Sequence, residues 1–257
     1  MENTEIANNA LSNAALSPAP RFGIPAGIGA IFTYLLSSLP LIAYAGVKVA
    51  NDNESKNLNS KDLADKINDY ISRPSFMILI LLVNAIGLLV WAFFVSRIRG
   101  SKNFKNDFGL KFTPDCLIFF AVGIGIQLVS VVLAIPISLI KDDVKGQAIA
   151  DDLASAKGVS LILFAICVAF IIPVIEEICF RGIFLRGLLR KTKPVIAILI
   201  CGLLFAVVHL SDKNAIYGLT SLIIVGIVSS ALSVYRGRID ASIALHVGFN
   251  LTAAIFL

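Results

Sequence analysis

The chain has 257 residues, of which 57% are hydrophobic and only 15% are charged, and its mean hydropathy is +0.86. A soluble domain carries roughly 45–50% apolar and about 25% charged residues, so this composition excludes a soluble globular protein. The net charge of +5 does not indicate a nucleic-acid partner, because the basic residues lie in loops between apolar runs. We therefore expect an all-α polytopic membrane protein that folds as one bundle.

The first residues, 1–22, are rich in Asn, Ala and Ser and lack the cationic segment that opens a secretory signal peptide. They predict a disordered cytoplasmic tail, followed by a first apolar segment that is retained as a helix. The four cysteines lie in or beside apolar segments and show no CxxC spacing. This pattern predicts buried, reduced thiols and neither a disulfide framework nor a cysteine zinc site.

Seven apolar segments follow, each near the ~20 residues that span about 30 Å of hydrocarbon. The fourth segment is over-long and ends in a basic amphipathic stretch. An eighth helix or a re-entrant segment is therefore kept as an alternative to seven helices. The first three segments form an N-terminal membrane region at 23–156, and the last four fall in 157–257. The segments cover residues 23–47, 75–96, 115–140, 158–189, 194–211, 215–235 and 241–257.

Lys and Arg concentrate in three loops, at 97–114, 181–193 and 236–238. Cytoplasmic loops of membrane proteins carry an excess of basic residues, so these loops are predicted to be cytoplasmic. The N-terminus then lies in the cytoplasm, the C-terminus lies outside, and the polar stretch at 48–74 is an outer loop. The expected location is the cell membrane, with multiple passes, and no pattern predicts the oligomeric state.

Two prolines, Pro136 and Pro173, lie inside apolar segments. Each removes an intrahelical hydrogen bond and is expected to kink its helix. Pro173 precedes Glu176 by less than one turn, where a bend would open a cavity to water. An ordinary membrane-helix kink is the alternative.

Ionisable residues inside the apolar segments indicate a functional site, because a carboxylate at membrane depth costs at least about 2.5–3.5 kcal/mol. Glu176 and Glu177 are adjacent in the fourth segment, and the only two histidines, His209 and His246, lie in the fifth and seventh. A rise of about 1.5 Å per residue places Glu176 and His209 at matching depth and His246 shallower. We expect the three segments to converge. For each residue alone, a structural ion pair or a satisfied interhelical histidine is the alternative.

Adjacent helical residues point about 100° apart, so the two acids have different roles. Arg181 follows Glu177 by four residues, the spacing that pairs opposite charges on one helix face. Glu177 is therefore predicted to be ionised and structural, and Glu176 to be the general base, although the reverse assignment stays open. Phe205 precedes His209 by one turn and is expected to clamp its imidazole.

Asn250 follows His246 by one turn. Its amide is predicted to bond a substrate carbonyl or a water, or to hold His246 in one tautomer. Glu176, His209 and His246 suit a zinc ion (Zn²⁺) with an open fourth position. A water activated by Glu176 without a metal is compatible with the same residues, so both options are kept.

Three ordered motifs resemble the signature of the CPBP intramembrane metalloproteases, a family that groups CAAX prenyl endopeptidases with bacteriocin-processing and bacteriocin-immunity (Abi) proteins. The resemblance covers residues 157–257 and implies a catalytic membrane domain there. It also implies that Glu176, Glu177, His209, His246 and Asn250 are the catalytic residues. The motifs are Glu176-Glu177-x-x-x-Arg181, Phe205-x-x-x-His209 and His246-x-x-x-Asn250.

The predicted function is hydrolysis of a peptide bond in a membrane-associated peptide or protein. Glu176 would draw a proton from water, and His209 would position that water or act as a metal ligand. His246 and Asn250 would hold the oxyanion or ligate a metal. Two rival hypotheses are a non-enzymatic peptide-binding protein for bacteriocin immunity or scaffolding, and a proton-coupled transporter with Glu176 and His209 as a relay.

Overall fold

The computed structural model describes residues 22–55, 58–140, 156–210 and 218–256. Within these ranges every regular element is helical and no strand occurs, which confirms the predicted all-α bundle. The predicted disordered tail, except for Phe22, lies outside the described residues. All four cysteines are buried and free, as expected.

The helices of the described residues are numbered here in chain order, and one or two of them occupy each of the seven predicted apolar segments. In the part of the chain that the structure describes, four helical stretches are long and apolar enough to cross a membrane, namely Ile24–Ala50, Pro74–Arg99, Gly158–Leu189 and Leu219–Arg236. The helices are α1 Ile24–Leu36, α2 Leu39–Ala50, α3 Ser60–Ile71, α4 Pro74–Arg99, α5 Phe104–Phe108, α6 Cys116–Ile140, α7 Gly158–Leu189, α8 Pro194–His209, α9 Leu219–Arg236 and α10 Asp240–Phe256.

The first apolar segment, predicted to form one helix, forms two helices. The break between them lies at Ser37 and Ser38. The backbone N–H and the hydroxyl of Ser37 both bond to the Thr33 carbonyl, which closes the last turn of α1. Pro40 lies in the first turn of α2, where its missing N–H is tolerated because that position has no intrahelical acceptor.

The predicted outer loop at 48–74 contains a helix, α3, which the sequence interpretation missed. Asn59 caps it, since its side-chain oxygen accepts hydrogen bonds from the backbone N–H groups of Lys61 and Asp62. Such caps are favourable N-terminal signals in polar sequences. The helix has no buried residue, so it rests on the bundle and is not part of its core.

Glycines let two helix pairs approach backbone to backbone. A Cβ added at Gly123 of α6 or at Gly248 of α10 would collide with a backbone carbonyl of the facing helix. The same is true of Gly226 of α9, and a Cβ at Gly202 of α8 would meet the α9 backbone. Small residues permit this close packing in membranes, where lipid gives little hydrophobic driving force. The close packing of α6 with α10 and of α8 with α9 therefore fixes the positions of the helices that carry His246 and His209.

One end of the bundle gathers the basic loops. Arg186, near the end of α7, donates to the Asp107 carbonyl, and Arg236 donates to the Asp115 carboxylate at 2.5 Å. The hydrogen bond from Arg236 lowers the pKa of Asp115 to about 2. Arg238 bonds to the same loop as Asp115. The three loops predicted to share one side of the membrane thus meet at one end of the bundle.

The side of the membrane on which this end lies stays a prediction, with the basic end in the cytoplasm. In a background that lacks the native cysteines, Lys105→Cys on α5 and Ala64→Cys on α3 place single thiols at exposed positions. On intact cells, an impermeant maleimide should label Ala64→Cys and leave Lys105→Cys unlabelled until the cells are lysed. Labelling of Lys105→Cys alone on intact cells would invert the orientation.

Candidate active site

The acid pair lies between two widened turns of α7. The helix changes to π-helical geometry at Cys167–Ile171, returns to α-helical geometry at Ile172–Glu177, and widens again at Ile178–Phe184. Single π-helical turns within α-helices are frequent at functional sites, because they turn neighbouring side chains toward new directions. Here they flank Glu176 and Glu177 on both sides.

Pro173 explains the first widened turn and the position of Asn250. The N–H of Ile172 donates to the carbonyl of Cys167, five residues back. The next donor in this register would be Pro173, which has no N–H, so the Val168 carbonyl loses its helical partner. The side-chain amide of Asn250 donates to that carbonyl at 3.0 Å. Asn250 therefore fastens α10 to the widened turn of α7.

Arg181 and Glu177 form an ion pair that is fully shielded from solvent. Nη1 of Arg181 lies 2.8 Å from Oε1 of Glu177, and both side chains have 0% exposure. The i, i+4 pair expected from the spacing is thus present. Arg181 also donates to the Gly226 carbonyl at 2.8 Å and to the Ser230 hydroxyl at 3.3 Å. These partners satisfy a cation that no water reaches.

Two of these partners come from α9, a helix to which the sequence analysis assigned no site residue. The available signal was the pair Ser229-Ser230 and the nearby Gly226 within an apolar helix. Small and hydroxyl side chains on one helix face are typical of interhelical contacts in membranes. That signal indicates a contact but not which cation it serves.

Phe205 contacts three members of the site, and its side chain is fully buried. The ring lies 4.7 Å from that of His209, which is the expected clamp, and 5.4 Å from that of His246 in an edge-on arrangement. The Arg181 guanidinium lies over the ring at 4.6 Å, within the range of a cation–π contact. The contacts of Phe205 with His246 and Arg181 join different helices and do not follow from the spacing of these residues in the sequence.

His246 is held by the structural acid. Its Nδ1 lies 3.0 Å from Oε1 of Glu177, and an ionised carboxylate only accepts hydrogen bonds, so Nδ1 carries the proton. The hypothesis that Asn250 fixes this tautomer is wrong, because Glu177 does so. Nε2 of His246 faces Glu176 Oε2 at 3.7 Å.

His209 is fixed in the same way by the main chain. Its Nδ1 lies 2.7 Å from the Phe205 carbonyl oxygen, which only accepts, so Nδ1 is again the protonated nitrogen. Nε2 faces Glu176 Oε1 at 3.8 Å. The imidazole is 23% exposed, against 3% for that of His246, so the site opens on the side of His209.

Glu176 lies between the two histidines with one carboxylate oxygen toward each. Both separations exceed the length of a direct hydrogen bond, but a bridging water spans such a gap readily. Segments four, five and seven therefore converge, and the shallower depth estimated for His246 does not prevent the contact. Within the described residues, the Asn250 amide bonds to the Val168 carbonyl and to neither acid.

The two histidines and Glu176 have the chemistry of a zinc site. Both histidines keep Nδ1 on an acceptor and leave Nε2 toward Glu176, which is the usual second-shell pattern of zinc ligands. Nevertheless, among the residues that the structure describes, no three His, Cys, Asp or Glu side chains are arranged to hold a metal ion. The donors suit zinc chemically but not as they are arranged. Zinc binding by Glu176, His209 and His246 stays a prediction.

Comparison with known proteins bears on the same part of the chain. Residues 158–252 match the family described as Rce1-like, type II CAAX prenyl endopeptidase Rce1-like. Neither the curated proteins nor the solved structures give a match. The matched range begins at the start of α7, runs into α10, and contains all three motifs of the acid pair and the histidines. The family predicted from the motifs is thereby confirmed: this chain carries an Rce1-like domain of the CPBP family, whose members include intramembrane CAAX-type proteases.

Proposed function

We propose that this protein is an endopeptidase that hydrolyses a peptide bond of a membrane-associated peptide or protein with a water activated by Glu176. One observation carries the proposal: the Glu176 carboxylate faces Nε2 of both His209 and His246. A carboxylate and two imidazoles around one small space are the groups that general acid–base catalysis requires.

His209 and Glu176 act on the water. Because Nδ1 of His209 is occupied by the Phe205 carbonyl, Nε2 of the neutral ring carries a lone pair and accepts one O–H of the water. Oε1 of Glu176, 3.8 Å from that nitrogen, accepts the other O–H and takes its proton as the water oxygen attacks the scissile carbonyl carbon. The result is a tetrahedral intermediate with a negatively charged oxygen, and a protonated Glu176.

His246 is suited to stabilise that oxygen. Glu176 and Glu177 bring two negative charges to the site and Arg181 brings one positive charge. This step requires His246 to keep Nδ1–H on Glu177 and to donate a second proton, on Nε2, to the oxyanion. When the intermediate collapses, protonated Glu176 gives its proton to the leaving nitrogen. The C–N bond then breaks, and a carboxylic acid and an amine are formed.

Asn250 has a second N–H beyond the one that bonds to Val168. We assign that N–H to the oxyanion as a supplement to His246. Its main contribution is to hold α10 in place on α7.

The substrate enters from the membrane. The helices that carry the site expose apolar side chains on their outer faces, with Phe170 of α7 at 44% and Val207 of α8 at 56%. In a membrane such faces meet lipid, so we expect a membrane-embedded or lipid-bearing peptide segment as substrate and not a free hydrophilic peptide.

Substitution of the reacting groups tests the proposal. Glu176→Gln, His209→Ala and His246→Ala should abolish cleavage of a quenched membrane-anchored peptide by purified protein, while each variant still accumulates in the membrane. Asn250→Ala should keep part of the activity, since one oxyanion donor is worth about 10²–10³-fold. Glu54→Gln is the matched control, because that side chain is 83% exposed. Wild-type turnover in Glu176→Gln would refute the general-base assignment and move it to Glu177.

The roles of Glu176 and Glu177 are distinguished by measuring both the melting temperature and the cleavage activity of two variants. Arg181→Ala leaves the Glu177 carboxylate buried without its cation, a loss of about 3–5 kcal/mol, so its melting temperature in detergent should fall by several degrees. Arg190→Ala, an exposed arginine on the same chain segment, should melt like the wild type. Glu176→Gln should be inactive and equally or more stable. An unstable Glu176→Gln together with a stable Arg181→Ala would reverse the two roles.

Asn250 and Pro173 should be coupled through the Val168 carbonyl. Asn250→Ala leaves that carbonyl unpaired at a cost of about 1–3 kcal/mol. In a Pro173→Ala background, residue 173 supplies its own N–H, so Asn250→Ala should lower the melting temperature by less. Equal shifts in the two backgrounds would show that the amide contributes nothing to this carbonyl. Thr252→Ala, another buried polar residue of α10 whose partner is Gly248, should shift both backgrounds equally.

A further inference from the structure

The short helix α5, which lies outside the matched domain, is held in one orientation by the Asp107 carboxylate. Ser96, near the end of α4, donates its hydroxyl to one carboxylate oxygen at 2.5 Å. Ser101 donates its backbone N–H and its hydroxyl to the other oxygen, at 2.8 and 2.6 Å. A helix of five residues is not stable alone, so these bonds to a buried carboxylate give α5 its fixed direction.

The next residue, Phe108, packs onto α7 at Gly182. A Cβ added to Gly182 would lie 2.7 Å from Cδ1 and 3.3 Å from Cε1 of the Phe108 ring. The ring centroids of Phe22 and Phe104 lie 5.4 and 4.6 Å from that of Phe108, and Phe108 has 0% exposure. In a close-packed interior the ring can leave Gly182 only by displacing these neighbours.

Gly182 lies in the second widened turn of α7, directly after Arg181. The register of this turn is shown by Leu185, whose N–H donates to the Phe180 carbonyl, five residues back. Adjacent helical residues point about 100° apart, so Arg181 contacts α9 whereas Gly182 contacts α5. The widened turn is therefore held between α9 and α5.

A second contact lies four residues further along α7. Arg186 donates to the backbone carbonyl of Asp107, and residues 182 and 186 share one helix face. The segment that carries α5 thus contacts α7 at two points about one turn apart. Two such contacts fix the rotation of the helix, whereas one contact would leave it free to pivot.

We propose that Phe108 is a positioning residue of the site: packed on Gly182, its ring sets the rotation of the widened turn and thereby the position of Arg181. Arg181 lies 2.8 Å from Oε1 of Glu177, and the same oxygen lies 3.0 Å from Nδ1 of His246. A displaced turn therefore moves the hydrogen-bond partner of the imidazole. The effect on turnover rests on the proposed peptidase function, but the effect on His246 does not.

An exchange of size across the contact tests it without any substrate. Gly182→Ala adds a methyl group to an occupied place, so the melting temperature of the full-length protein in detergent should fall. Phe108→Leu makes room, and the double variant should melt at least about 2 °C above the value that the two single shifts predict together. Additive shifts would overturn the contact.

Two matched controls belong to this cycle. Phe94→Leu, at a side chain of α4 with 53% exposure, should not restore the melting temperature of Gly182→Ala. Gly46→Ala should melt like the wild type, because an added Cβ there meets no atom of the described residues within 4 Å. Recovery by Phe94→Leu equal to that by Phe108→Leu would also overturn the contact.

The imidazole signals separate positioning from a purely structural role. The chain has only two histidines, so nitrogen NMR of protein labelled at histidine gives one set of signals for each. Gly182→Ala should shift the Nδ1 signal of His246 more than that of His209, whose acceptor belongs to its own helix. Adding Phe108→Leu should return the signal toward its wild-type position. A lowered melting temperature with an unchanged His246 signal would overturn the positioning role.

The kinetic arm measures the consequence for the reaction. In the cleavage assay, Gly182→Ala should lower kcat by about 10- to 100-fold and leave KM within about twofold, since small displacements of reacting groups have effects of this size. Adding Phe108→Leu should restore part of kcat. A raised KM with unchanged kcat would overturn the positioning role. If the wild type does not cleave while the size exchange and the His246 shift are as expected, the peptidase function fails and the role of Phe108 stands.

Discussion

The Arg181 guanidinium is buried where no water can solvate it, and the site is arranged around that constraint. An isolated charge in a medium of low dielectric constant costs several kcal/mol, so each of its donors must find an acceptor. Glu177, the Gly226 carbonyl and Ser230 supply those acceptors, and the face of Phe205 covers the cation. Helices α7, α8 and α9 are joined by this one side chain.

The same ion pair gives the neighbouring acid its different role. Glu177 uses Oε1 for both Arg181 and His246, which orients the imidazole as well as neutralising the cation. Glu176, rotated by about 100° on the helix, has no comparable partner and faces the two Nε2 atoms. Adjacent residues of one type thus divide into a structural acid and a candidate base.

Residue spacing in the sequence predicted the features that depend on a single helix. The seven apolar segments and the Glu177–Arg181 pair follow from composition and from the i, i+4 rule, and the structure contains them. The convergence of His209 and His246 was predictable because ionisable groups in lipid must find each other. What spacing missed depends on contacts between helices that are distant in sequence, such as those of Ser230 and Phe205 with Arg181.

Asn250 shows why the other interhelical contacts of the site could not be predicted from the sequence. Its one-turn spacing from His246 indicated that the two act together, but its bonded partner is a carbonyl that Pro173 leaves free on another helix. That acceptor exists only because α7 widens at Cys167–Ile171, and a widened turn has no sequence signature of its own. The break at Ser37 and the polar helix α3 likewise depend on hydrogen bonds that composition does not record.

The glycine contacts between paired helices have a genetic consequence. Any side chain at Gly123, Gly202, Gly226 or Gly248 would push two backbones apart, and the displaced helices include the ones that carry His209 and His246. Missense alleles at these glycines would therefore produce the same phenotype as alleles of the ionisable residues, although no glycine bears a reacting group. Loss-of-function alleles would therefore be found at the glycine contacts between helices as well as at the ionisable residues of the site.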